Sequence, residues 1–187
     1  MSLTPLAYAK SIARLTGTSN DDQLQLLLDG VEEWAALYCG VYLSPTSPLP
    51  EVALEAIDGG VGRLIPARLP ISSVAGVWDA EDVADDEDAE AISPLLYTVR
   101  ERGLRLRDGD DWEEGLGRWL VTYTGGYTAT TLPPGFQGVV CQLFKKAWAA
   151  AGDLSSEGAV GATTAYHSLA AGDILTQLDA YVLGRKL

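Results

Sequence analysis

The segment from Asp21 to Cys39 constrains the fold most. Leu24, Leu27, Leu28, Val31, Ala35 and Tyr38 recur at spacings of 3, 1, 3, 4 and 3 residues, which is one face of an α-helix. Ser19 or Asn20 can cap this helix, Asp21 and Asp22 sit in its positive first turn, and Gly40 is the expected stop. Glu32 and Glu33 fall off the stripe and are expected to face solvent. A helix with one apolar face must bury it against another element, and three further segments offer such faces. Residues 4–16 group Leu6, Ala9, Ile12 and Ala13 behind Thr4 and Pro5, with Gly17 as the stop. Residues 134–151 group Val140, Leu143, Phe144, Ala147 and Ala151, leaving Lys145 and Lys146 outside. Residues 172–183 group Ile174, Leu175, Leu178, Tyr181 and Val182. Because these helices lie at both ends of the chain, the ends are expected to meet in a small bundle.

The middle of the chain reads differently. Three prolines make 41–50 an extended connector, and 51–117 reads as an inserted antiparallel β lobe. Asp58-Gly59-Gly60 is expected to turn a hairpin between 52–57 and 62–68. LPISSVAGVW (69–78) brings another strand, and 96–101 with 104–107 forms a second hairpin around Arg102-Gly103. Its alternation puts Leu104 and Leu106 on one face and Arg105 and Arg107 on the other. RWLVTYTGGY (118–127) is a strand ending in a Gly-Gly turn, and the Gly/Ser/Ala/Thr-rich 152–165 reads as a flexible link. The fold class expected is α+β, mainly α.

Charge narrows the function. The 187 residues hold 26 acids and 13 bases, a net charge of −13. A free nucleic-acid binder normally shows a basic face, and a peripheral membrane binder sets Lys and Arg beside apolar residues; neither pattern is present. The acidity is local. Asp79, Glu81, Asp82, Asp85, Asp86, Glu87, Asp88 and Glu90 lie in twelve residues without a base, and 79–94 is expected to be a surface loop. Without those eight, 18 acids face 13 bases, a net charge of −5. No run of 18 apolar residues occurs, and MSLTPLAYAKSIARL lacks a signal peptide's apolar core. Cys39 and Cys141 are expected as buried reduced thiols, in keeping with a cytosolic origin.

The usual vehicles of chemistry are missing. None of the four lysines stands in a phosphate-loop frame, and Gly60-Val61-Gly62 and Gly115-Leu116-Gly117 each lack the third glycine of a dinucleotide fingerprint. The one histidine, His167, adjoins Ser168, and neighbours in sequence rarely form a nucleophile and its base. One histidine and two distant cysteines do not make a transition-metal site, and 79–90 lacks the glycine and alternating ligands of an EF-hand. Asp110, Asp111, Glu113 and Glu114 surround Trp112 and suggest a sugar site, although a charged turn anchored by one aromatic is the simpler reading. No catalytic residue, metal or cofactor is expected.

Three segments in order resemble the head–tail connector (adaptor, or head-completion) proteins of tailed bacteriophages. They are DDQLQLLLDGVEEWAALYCGVYL (21–43), LPISSVAGVW (69–78) and LVTYTGGYTATTLPPGFQGVVCQLFKKAW (120–148). The resemblance covers 1–78 and 118–187. It departs after Gly40, where Val41 stands in place of a basic residue, and in the enlarged β lobe. The resemblance implies a structural subunit without catalytic activity, in a ring, usually twelve-fold, beneath the portal. The ring extends the DNA channel and gives a platform for stopper or tail-completion proteins. Double-stranded DNA passes through without specific binding. It implies a virion location at the head–tail junction, and the host cytoplasm during assembly. Residues 1–50 and 118–165 would be the connector core and 166–187 the portal-docking segment, acting through Leu178, Tyr181, Val182, Leu183, Arg185 and Lys186. The acidic loop would face the DNA channel or a basic neighbour. Twelve copies at −13 carry −156, so subunit contacts must be apolar or charge-paired, with Arg14, Arg118, Lys145 and Lys146 as candidates. Two other functions compete: an acidic DNA mimic that blocks a host DNA-binding protein, and a small carbohydrate-active enzyme.

Overall fold

Leu24, Leu28, Val31, Ala35 and Cys39 form the buried stripe of a long helix, as their spacing requires. In the computed structural model, which describes residues 2–60, 62–85, 90–153 and 172–183, that helix is α2 (Asp21–Cys39). It belongs to a helical unit, Met1–Pro45 with Thr128–Leu187, that also holds α1 (Leu6–Ala13), α4 (Pro134–Asp153) and α5 (Asp173–Asp179). Helix α4 packs against the other three, burying Phe136, Val139, Val140, Leu143, Phe144 and Ala147. Gly40, at φ 64°, ends α2.

Two expectations for this unit need correction. Helix α1 stops at Arg14, left-handed at φ 59°, and not at Gly17. Lys10 ties the following loop by reaching both the Gly17 carbonyl and the Asp21 carboxylate. Glu32, expected in solvent, is 1% exposed. Its carboxylate accepts hydrogen bonds from the Leu3 N–H, the Thr4 N–H and the Thr4 hydroxyl. It therefore fastens the segment before α1 to the middle of α2, which periodicity alone does not reveal. Glu33 is exposed as expected.

The β unit is Thr46–Tyr127. It contains β1 (Glu51–Ile57), β2 (Ile71–Asp79), α3 (Ala80–Asp85), β3 (Tyr97–Arg100), β4 (Gly103–Leu106) and β5 (Trp119–Gly125). Strand β5 is central in an antiparallel sheet of order β1-β5-β2, and β3 and β4 form a hairpin. Trp119, Val121, Tyr123 and Gly125 are buried in strict alternation, the two-residue period of a strand with one face on a core. This strand was expected with the helical core; its pairing on both edges places it with the β lobe. The mixture of a helical bundle and small antiparallel sheets is the α+β fold class that the sequence suggests.

The expected hairpin around Asp58-Gly59-Gly60 is absent. Strand β1 pairs with β5, and the glycines receive the loop that precedes β5. The Gly59 N–H donates to the Gly115 carbonyl and the Gly60 N–H to the Trp112 carbonyl. A Cβ on Gly59 would lie 1.7 Å from the Glu113 carbonyl oxygen, so only glycine permits this approach. The hairpin of β3 and β4 does form, with Leu104 buried and Arg105 and Arg107 exposed. Leu64 and Leu104 exchange backbone hydrogen bonds of 3.0 and 2.9 Å, tethering it to the segment before β2.

Candidate interaction surfaces

Residues 172–183 lie on their own helical unit. Leu178 is fully buried and Val182 is 8% exposed, so two residues expected to dock on a portal are core residues. Tyr181 meets Phe136 edge to face at 5.6 Å. The Tyr38 hydroxyl donates to Asp179 at 2.8 Å, the Cys39 thiol to the Leu178 carbonyl at 3.5 Å, and the Leu183 N–H to the Cys39 carbonyl at 2.8 Å. The end of α2 thus holds α5 and the residues after it as far as Leu183. The apolar stripe that reads as a docking face is the one that closes this bundle. Leu183 is half-buried. Arg185 and Lys186 lie outside the described residues, as do His167 and most of the 152–165 link.

The acid-rich stretch is partly helical, not a loop throughout: α3 begins directly after Asp79. Asp79 does not face outward. The Arg118 guanidinium donates to its carboxylate through Nε at 2.9 Å and Nη2 at 2.8 Å, and also meets Glu113. Arg118 was a candidate for pairing between subunits, and it is engaged within its own chain. Its Nη2 stands 3.9 Å from Glu81. The Asp79 hydrogen bond, the largest favourable influence, raises the Arg118 pKa above its usual value. Glu81, Asp82 and Glu90 are exposed; Asp86, Glu87 and Asp88 lie outside the described residues.

Trp112 does not present a face to sugars. It is 1% exposed, donates its Nε1–H to the Leu104 carbonyl at 3.1 Å and meets Trp119 edge to face at 4.9 Å. Asp110, Asp111, Glu113 and Glu114 form the exposed rim of a turn that this ring anchors. The Glu113 carbonyl also accepts from Trp119 Nε1 at 3.1 Å.

Both thiols are sequestered. Cys39 and Cys141 are free and buried. Burial, aided by Asp179, pushes the Cys39 thiol up to about 12, and burial with Glu32 pushes Cys141 to about 11. Burial and then the Glu55 hydrogen bond hold the Tyr123 phenol well above its usual range. Among the described residues, no group of three His, Cys, Asp or Glu stands ready for a metal ion, and no helix is long and apolar enough to cross a membrane.

One surface escaped the sequence reading. The hairpin of β3 and β4 and the segment before β2 gather arginines in an otherwise acidic chain. Arg63, Arg100 and Arg102, with Val99 and Glu101, line an open cleft of about 490 Å³. The signal was present: six of the nine arginines fall between residues 63 and 107.

No protein-family model matches the chain, and no curated protein sequence matches it. Among solved structures it is similar to a chain of the neck of an empty gene transfer agent particle computed with C6 symmetry. The TM-score is 0.54 at 17% identity, covering 98% of this chain and 91% of that one. It is also similar to a chain of the virion of the native gene transfer agent particle, with a TM-score of 0.52 at 17% identity and the same coverage. At this identity the likeness establishes a shared fold, which runs through both the helical and the β unit.

Proposed function

We propose that this chain is a structural subunit of the neck of a phage-like particle. It joins copies of itself in a ring at the head–tail junction, attaches beneath a portal, extends the DNA channel and supports a stopper or tail-completion protein. The observation that carries this reading is the fold correspondence over 98% of the chain with a neck chain of a symmetric particle. The ordered resemblance of 21–43, 69–78 and 120–148 to head–tail connectors supports it independently. Six-fold symmetry is compatible with twelve copies in a ring. The subunit acts by fit and not by catalysis: its one candidate sugar platform is buried and both thiols are held protonated.

Portal attachment falls to the chain's extreme end, including Arg185 and Lys186, because Leu178 and Val182 already serve the subunit's own core. The test is electron microscopy of the subunit mixed with its portal, together with mass spectrometry of purified particles. A ring on the portal and stoichiometric chain in particles are expected. A subunit absent from particles, or one that never decorates portals, refutes the proposal.

A further inference from the structure

Charge is distributed along the β unit with a polarity that net charge conceals. Arg100, Arg102 and Arg105 are exposed and Arg63 is half-buried. Among the described residues, the side chains of these four make no hydrogen bond or ion pair. Three of them border the open cleft at the hairpin turn. The cleft is shaped by backbone: Gly103, at φ 139°, lets the turn lie so close that a Cβ would stand 2.3 Å from the Leu64 carbonyl oxygen and 2.7 Å from Arg63 Cγ. The Arg63 stem is thereby held against the turn that carries Arg102. Three guanidiniums surround one cleft, with Glu101 the only carboxylate among its described lining residues, a charge pattern suited to paired carboxylates.

A matching ligand stands at the other end of the same sheet. The Ile71 N–H donates to the Glu101 carbonyl at 3.2 Å, fixing the arginine turn at the start of β2. Helix α3 begins where β2 ends and carries exposed Asp82 and Glu81, the latter reaching Arg118 of its own chain only at 3.9 Å and leaving most of its carboxylate in solvent. The nine residues of β2 separate the two by about 25 Å at the usual rise of a strand. They cannot meet within one chain, but they can meet between copies arranged head to tail, the arrangement that closes rings.

We infer that the cleft of Arg63, Arg100 and Arg102 receives Glu81 and Asp82 of a second copy of this chain. The inference rests on the ring reading above and names a contact that builds the ring. The test is sedimentation velocity of the full chain across concentration at low salt. Wild type self-associates, and salt weakens the association. R100E/R102E and E81R/D82R each replace two attractions with two repulsions and raise the self-association Kd about tenfold or more. An equimolar mixture of the two variants recovers wild-type association, because alternating copies restore both contacts. Recovery also shows that each variant is folded. A wild type that stays monomeric throughout, or single variants that associate like wild type, overturns the contact. A mixture that fails to recover also overturns it. Mobility shift with duplex DNA supplies the alternative: shifting that R100E/R102E abolishes while the mixture does not recover association assigns the cleft to phosphates and overturns the pairing. Variants that assemble like wild type in particles containing the chain sink this contact and leave the neck reading intact. Rescue in solution by a chain absent from particles does the reverse.

Discussion

Removing the Glu32 carboxylate is the sharpest test of how the helical unit is held together. The side chain is 1% exposed and satisfies three donors: two backbone N–H groups ahead of α1 and the Thr4 hydroxyl. In Glu32→Ala these donors stay buried without an acceptor, at about 1–3 kcal/mol each. The hydroxyl can rotate and some water enters, so the net loss is about 3–5 kcal/mol. That is a large part of the ~5–15 kcal/mol that stabilises a typical domain. Glu32→Gln keeps the volume and one acceptor but turns an NH2 toward a donor, and costs about 2 kcal/mol. Thr4→Val removes only the hydroxyl bond and costs about 1 kcal/mol. Urea unfolding measures the totals. Amide hydrogen exchange over residues 2–13 reads the helical unit separately, and protection should fall there before it falls in β5. A Glu32→Ala chain within about 1 kcal/mol of wild type would refute the reasoning, because three buried donors cannot be orphaned so cheaply.

Three further outcomes follow from the described geometry. The raised thiol pKa of Cys39, from 9.0 to about 12, implies about a thousandfold less thiolate than in the unfolded chain at pH 8. Ellman's reagent should therefore label the native protein far more slowly than the denatured one. Since the folded value lies above the unfolded one, this stability is fully present below pH 9 and is lost as pH rises toward 12; equal native and denatured labelling rates refute the burial. A chain ending at Leu183 keeps Ile174, Leu178 and Val182 in the core and should unfold at the wild-type midpoint while losing portal binding. A chain ending before Gly172 loses all three side chains and about 5 kcal/mol; equal stability of the two truncations refutes the docking of α5. Converting the acids from Glu81 to Glu90 to amides, with Asp79 retained for Arg118, should lower the yield of infectious particles, and an unchanged yield refutes a role for the segment.

Helix positions were legible because their apolar spacing is local. Leu24, Leu28, Val31 and Ala35 repeat along one segment, and burial follows the repeat. Strand partners were not, because pairing is decided far away in sequence. Asp58-Gly59-Gly60 carries a hairpin's residues, yet the glycines serve the approach of the 112–115 loop. The stripe on 172–183 was also read for its period, but a period cannot say whose groove it fills, and here it fills its own chain's. Among the candidate sites, Asp79 and Arg118 sit 39 residues apart in sequence and neutralise one another, so counting acids overstated the outward-facing charge. Arg63 and Arg102 converge only because Gly103 lets two loops touch.

Polarity, not net charge, decides whether so acidic a chain can assemble. The β unit holds 17 acids and 7 arginines, a net charge of −10, and neighbours in a ring should repel if only that total mattered. Screening at physiological salt limits charge effects to about 8 Å, so the groups at the contact decide the sign. With arginines at one end of β2 and acids at the other, a contact that brings like ends together sets acids against acids or arginines against arginines, whereas a contact that brings unlike ends together sets acids against arginines. Repulsion then selects the orientation while attraction holds it. The two accounts separate in the variant R100E/R102E/E81R/D82R, which keeps the net charge at −13 and reverses the polarity. It should assemble with itself as wild type does, yet exclude wild-type copies, since each mixed contact sets like charges together. Differently labelled wild-type and reversed chains should therefore sort into separate assemblies, and free mixing would show that the acids and arginines of the β unit do not face one another between subunits.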